Sequence, residues 1–200
     1  MNNGRPQRVA FILFDGFELL DVFGPAEIFS KVPGLQVEFA SADREPVASS
    51  QGVKILPDTA FDSLDCDTIV VPGGQGTRAL VKDADFLARI DRVASCASLV
   101  CSVCTGSAVL AAAGLLEGYA ATSNKLAFDW ATSFGKDIDW KSSSRWVHDR
   151  DRWTSSGVAA GIDRAVAFVS HFFGAPLAEK IAHDLEIQVN SDPEHDPFTV

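Results

Sequence analysis

Basic residues are scarce in this sequence and nowhere clustered. Seventeen Lys and Arg stand against 27 Asp and Glu, a formal net charge of −10. Affinity for nucleic acid comes from Lys and Arg gathered on phosphates, so that class of partner is not expected. An anionic membrane surface is disfavoured on the same ground. Long hydrophobic runs are missing as well: no stretch approaches the roughly 20 apolar residues of a membrane span. The first residues, Met1 to Gln7, are polar and lack the shape of a signal peptide. Cysteine is sparse, and Cys66, Cys96, Cys101 and Cys104 are too irregularly spaced for a disulfide framework. No second Cys pair or His pair completes a zinc site. Neither a G-x-G-x-x-G nor a Walker loop is present to cradle a nucleotide. The expectation is a cytoplasmic protein with reduced thiols that needs no metal, nucleotide or redox cofactor.

What is present is an ordinary globular composition, 46% hydrophobic and 22% charged over 200 residues. That length buries a substantial core without disulfides or metals. One domain is expected over residues 1–200, with its core from about 8 to 189 and an irregular, Pro- and acid-rich tail at 190–200. Arg8 to Phe14, Leu35 to Ala40 and Thr68 to Val71 read as strands. Ala84 to Ala94, about Ala159 to Phe173, and Leu177 to Gln188 read as helices. Gly24-Pro25 starts or kinks a helix running through Ala26 to Phe29. Ser41 to Gly52 reads as a polar loop and Pro57 to Cys66 as a connection. Arg145 to His148 and Arg152 to Thr154 flank a turn and read as an antiparallel hairpin. Strands alternating with helices give an α/β layered fold with a mainly parallel sheet.

The chain is organised around Leu99 to Ser107. Leu99, Val100 and Val103 end a buried strand, and Thr105-Gly106-Ser107 opens a helix that stops at Gly114. Cys104 stands at the turn between them. A sharp strand-to-helix turn presents a side chain clear of the backbone, and the positive end of the following helix stabilises a thiolate. Locally, a nucleophile and a buried structural cysteine are both admissible. Ligands of open α/β sheets bind outside the carboxyl ends of the strands. That rule gathers Asp15 to Asp21, Pro72 to Gly76 and Cys104-Thr105 at one sheet edge, and the convergence favours the nucleophile. Asp21, in an apolar setting, needs a partner or a raised pKa; alternatively it is a helix-start acid facing solvent. The glycines of Pro72-Gly73-Gly74-Gln75-Gly76 let backbone N–H groups approach a ligand, as in an oxyanion site, or simply make a tight turn. Cys101 and Cys104 are formally C-x-x-C, but an extended strand puts their Cα atoms roughly 10 Å apart, beyond disulfide reach. The four histidines are scattered and take no assigned role. Trp130, Trp140, Trp146 and Trp153 serve packing, or one of them walls an apolar pocket.

These residues resemble the ThiJ/PfpI family of the class I glutamine-amidotransferase-like superfamily, over about Val9 to Phe198. The marks are Leu20-Asp21-Val22-Phe23-Gly24-Pro25, Val71-Pro72-Gly73-Gly74, Val103-Cys104-Thr105-Gly106 and Thr154 to Asp163. Leu-Asp-x-x-Gly-Pro, Cys-Thr-Gly and Leu185-Glu186-Ile187-Gln188 before a Pro-containing tail make the isonitrile hydratase branch the most similar. The resemblance implies a flavodoxin-like sandwich, helices on both faces, a homodimer and a small-molecule substrate. It carries Cys104 over as nucleophile, Asp21 as the acid that hydrogen-bonds it or shuttles its proton, and Thr105 as a further site residue. The N–H groups of Gly74 and Thr105, with neighbouring Gly73, correspond to the family's anion- and substrate-binding loop.

Two departures qualify the resemblance. Relatives that act as proteases or glyoxalases often have His directly after the cysteine, where this chain has Thr105. The branch commonly has His within the segment matching Thr122-Ser123-Asn124, where this chain has Asn124, which transfers no proton near pH 7. Some relatives carry this domain ahead of a helix-turn-helix module; with the sequence ending at Val200, DNA binding in cis is not expected. The expected reaction is hydration of an organic isonitrile to an N-substituted formamide through a Cys104 thioimidate. The rivals are a cofactor-free glyoxalase or deglycase acting on small carbonyls, and an oxidation-sensing or ligand-binding domain.

Overall fold

A computed structural model describes residues 5–199. Strand β1 (Arg8–Ile12) leads to helix α1 (Leu19–Ser30), β2 (Gln36–Ser41), β3 (Val47–Ala48), β4 (Lys54–Ile55) and β5 (Thr59–Ala60). Next come β6 (Thr68–Val71), α2 (Thr77–Leu80), α3 (Ala84–Cys96), β7 (Leu99–Val103) and α4 (Gly106–Ala112). The rest is β8 (Ala120–Ala121), α5 (Phe128–Ala131), β9 (Asp139–Trp140), β10 (Trp146–Asp149), β11 (Arg152–Ser155), α6 (Ala160–Phe173) and α7 (Ala175–Asp184). Seven strands form one sheet in the order β10-β11-β7-β6-β1-β2-β5. Every pairing in it is parallel except the β10–β11 hairpin.

The central strands are apolar on both faces because both faces are covered: all four residues of β6 are buried. On one side α1 packs on α6 and α6 on α7; on the other α4 packs with α2 and α3. Gly161 lets α6 lie close on β7, since a Cβ there would come within 2.8 Å of Val103 Cγ1. No helix among the described residues is long and apolar enough to cross a membrane.

Several boundaries differ from the sequence pattern for definable reasons. Helix α1 begins at Leu19, not at Gly24-Pro25, and carries Pro25 in its interior. The missing N–H of Pro25 leaves the Asp21 carbonyl without its helical partner, which the helix tolerates near its start. Strands β3 and β5 are two residues each, too short to show alternation, and fall where a loop and a connection were read. Helix α7 stops at Asp184; beyond it Glu186 takes φ 52°, which ends the helix before Gln188.

One core residue is anomalous. Arg164 on α6 is fully buried, and none of its guanidinium nitrogens has a partner of good hydrogen-bond geometry among the described residues. Its neighbour is the Cys101 thiol of β7, also fully buried.

Candidate active site

Three turns leave the carboxyl ends of β1, β6 and β7, and backbone bonds stitch them together. Glu18 N–H donates to Gly73 O at 2.9 Å, and Gly76 N–H to Gly16 O at 3.0 Å. The sheet edge therefore gathers the three stretches expected there, Asp15 to Asp21, Pro72 to Gly76 and Cys104-Thr105.

Cys104 joins β7 to α4 with φ 57°, a left-handed conformation uncommon for a side chain with a Cβ. The surroundings hold it there from both sides. Its N–H donates to Ser155 O at 3.1 Å and Ser156 O at 3.0 Å. Its carbonyl accepts from Ser107 Oγ at 3.0 Å and Ser123 Oγ at 3.1 Å. This turn places the thiol beside Asp21, and the two groups interact directly.

Asp21 is wholly buried on α1, so the solvent-facing alternative fails. Gly73 N–H donates to its Oδ2 at 2.8 Å. Burial pushes its carboxyl up to about 7; the Gly73 bond opposes this, the Glu18 charge adds to it, and the Cys104 thiol opposes it. Burial also pushes the Cys104 thiol up, to about 12, and the charge of Asp21 adds to that. Donors from Thr105, its N–H and its hydroxyl, and from the Asn124 side chain pull the thiol down. The pair shares its protons. Both groups hold their protons more tightly than they would free in water, and the carboxyl is the first to give its own up.

The glycine loop divides its work. Gly73 N–H holds the carboxyl, whereas Gly74 N–H donates to Thr105 Oγ1 at 3.2 Å, and Thr77 Oγ1 lies 3.1 Å from that hydroxyl. The Gly74 N–H expected to meet a ligand thus has an internal partner, through a long bond that an incoming oxygen would displace. A Cβ on Gly73 would sit 2.7 Å from Thr105 N and 2.8 Å from Cys104 Cβ, so only glycine fits.

Asn124 begins the short turn before α5, its Oδ1 accepting from Ala127 N at 3.1 Å as an N-cap. That bond fixes the amide so that its nitrogen faces the thiol, and the bare Gly157 gives it room: a Cβ there would lie 2.5 Å from Nδ2. Sequence reasoning reads Asn124 as the cap of a helix at Lys125 to Trp130, which this bond bears out, and as a missing histidine, but not as a donor to the thiol. It missed Ser123, Ser155 and Ser156, whose contacts cross 19 to 52 positions of chain and leave no local pattern. All four cysteines are free, so Cys101 and Cys104 form no disulfide. No cluster of His, Cys, Asp and Glu among the described residues is arranged to hold a metal ion. A cavity of about 1010 Å³ lies elsewhere, between β10, α6, α7 and the tail, and neither Cys104 nor Asp21 lines it.

Residues 7–171 match the profile of the DJ-1/PfpI family. The chain belongs to the DJ-1/PfpI family. An isonitrile hydratase of Pseudomonas putida is 38% identical over 182 residues, 90% of this chain and 78% of that one. A deglycase of Thermococcus kodakarensis is 28% identical over 149 residues, 72% of this chain and 89% of that one. The crystal structure of a ThiJ/PfpI family protein from Pseudomonas syringae superposes with a TM-score of 0.84 at 32% identity, covering 98% of this chain and 81% of that chain. The mostly parallel sheet between two helical layers is the flavodoxin-like architecture of this DJ-1/PfpI fold.

Proposed function

We propose that this DJ-1/PfpI protein hydrates an organic isonitrile to an N-substituted formamide, with Cys104 as nucleophile and Asp21 as its proton carrier. The observation that carries the reading is the contact of the buried Cys104 thiol with the buried Asp21 carboxyl at the carboxyl edge of the sheet. The terminal carbon of an isonitrile must gain both a nucleophile and a proton. A thiol next to a carboxylate supplies both to one atom.

In the first step the Asp21 carboxylate takes the thiol proton and passes it to that carbon as sulfur bonds to it. The S–H bond has then added across the carbon, giving a thioimidate, R–N=CH–S–Cys104. Water next attacks the thioimidate carbon. One of its protons goes to the substrate nitrogen and the other, through Asp21, returns to sulfur as the C–S bond breaks. R–NH–CHO leaves, and the pair is restored with its one proton. The oxygen of the tetrahedral species takes hydrogen bonds from the N–H groups of Thr105 and Gly74, the latter released from Thr105 Oγ1. Asn124 has no proton to transfer at this pH, so in this scheme it is a donor to sulfur and Asp21 alone carries protons.

The sequence relationship to an isonitrile hydratase supports this reading. Thr105 in place of His weighs against the glyoxalase and protease chemistries. A cytoplasmic homodimer remains part of the proposal; Leu20 and Phe23, adjacent to Asp21 on α1, are exposed apolar surface suited to a partner copy. Rapid quench with cyclohexyl isocyanide followed by peptide mass analysis tests the covalent step. An adduct of the isonitrile's mass on Cys104 is expected; formamide formed at the native rate by Cys104→Ala refutes the reading.

A further inference from the structure

Residues 185–199 form no helix or strand, and the match to the family profile ends at 171. This tail is nevertheless tied down. Asn190 N–H donates to Asp163 Oδ1 at 3.0 Å, Pro193 O accepts from Arg145 N at 2.8 Å, and Asp196 N–H donates to Ser143 O at 2.7 Å. Side chains reinforce this. Arg145 grips Asp163 Oδ2 with both Nε and Nη2 at 2.6 Å and reaches Asp196 Oδ1 at 3.5 Å, all three residues being buried.

The loop held in this way is the support of the cysteine's neighbours. Ser144 O accepts from Lys125 Nζ at 2.6 Å and lies 3.2 Å from Thr122 Oγ1. Lys125 Nζ also donates to Thr122 Oγ1 at 2.8 Å, and Lys125 is buried in the field of Asp196. Between Thr122 and Lys125 stand Ser123, on the Cys104 carbonyl, and Asn124, on the Cys104 thiol. The tail is thus linked through Arg145 and the Ser143–Ser144 backbone to Lys125, and along the chain from Lys125 to the residues on Cys104; between Asp196 and Lys125 the interaction is one of charge alone. Arg145 and Lys125 balance Asp163 and Asp196, and such a buried network is favourable only when every member is in place.

We propose that residues 190–196 are a strap whose Asp196, acting through Arg145 and Lys125 as positioning residues, holds Ser123 and Asn124 against Cys104. The strap rests on the reading of Cys104 as the reacting group, but its test needs no isonitrile. The probe is iodoacetamide, with the alkylation rate of Cys104 followed by peptide mass analysis from pH 8 to 9.5 in the full chain carrying Cys66→Ser and Cys96→Ser. Loss of one donor to a thiolate lowers its population by about tenfold, so Asn124→Ala slows Cys104 about that much. Asp196→Asn keeps the Oδ1 acceptor for Phe198 N and removes the charge. It slows Cys104 several-fold, and Lys125→Met does the same from the other end of the network. In the Asn124→Ala background neither has a further effect.

General loosening of the fold would instead expose the thiol and speed alkylation. An Asp196→Asn or Lys125→Met protein that alkylates at the native rate or faster overturns the strap. So does an effect that persists undiminished without Asn124, or an Asn124→Ala protein that reacts at the native rate. Failure of formamide production with this pattern intact would count against the hydration reaction and leave the strap standing.

Discussion

Gly73 donates its N–H to Asp21 Oδ2 at 2.8 Å from a position where a Cβ would lie 2.8 Å from Cys104 Cβ. Holding the acid and allowing the cysteine's approach are thus one backbone feature. Gly73→Ala must push the loop off either Asp21 or Cys104. A displacement near 1 Å at a reacting pair costs on the order of 100-fold in rate, so kcat should fall by about that factor while the melting temperature changes little. Steady-state kinetics and thermal unfolding check it.

Asp21 serves the proposed chemistry while its burial costs the fold. Its carboxyl stands at about 7 in the folded protein against 3.8 in the open chain. A raised carboxyl binds its proton more tightly when folded. Its penalty is therefore absent below pH 3.8, grows through the window up to about 7, and is full above it. The full penalty is about 4 kcal/mol. Asp21→Asn should accordingly be more stable than the native protein at pH 8 and nearly equal to it at pH 4, while losing turnover. Denaturant titrations at the two pH values check this; equal stability at pH 8 would mean that Asp21 is not ionised there.

Turnover should follow the one-proton state of the Cys104–Asp21 pair. The rate rises with pH through an inflection near 7, as the pair loses its first proton, and the thiol at about 12 sets the upper limit. In Asp21→Asn the inflection near 7 disappears from kcat/KM. A profile that instead falls through pH 7 would assign the reactive form to the doubly protonated pair.

Arg164 should be removable at a profit in stability. It is buried beside Cys101 with no carboxylate partner among the described residues, and exchanging buried charge for apolar volume often stabilises by about 1–4 kcal/mol. Arg164→Met is expected to melt higher than the native protein, and the site, formed on other elements, to keep its kcat. A lower melting temperature would show that an anion, thiolate or other, compensates the guanidinium.

The sequence makes some of this site legible and hides the rest for physical reasons. Buried strands announce themselves as apolar runs, and their alternation with helices implies a mainly parallel sheet, so the sheet edge and the meeting of Asp21, Gly73 and Cys104 there could be inferred. The burial of Asp21 could not, because Pro25 masks a helix that starts six residues earlier. The division of the glycine loop, with Gly73 on the acid and Gly74 on Thr105, depends on which way two adjacent amides point, and composition carries no record of that. Nothing in the sequence pattern shows that Lys125, Arg145, Asp163 and Asp196 meet. Only the fold brings them into one buried network.

The central claim is that Cys104 and Asp21 together add water to an isonitrile carbon. It is tested most directly by mixing the native protein, Cys104→Ala and Asp21→Asn with cyclohexyl isocyanide at pH 8 and quantifying N-cyclohexylformamide. The account predicts product from the native protein, none above background from Cys104→Ala, and a rate at least about 100-fold lower from Asp21→Asn. No formamide from the native protein at high enzyme concentration, or undiminished formation by Cys104→Ala, would contradict it.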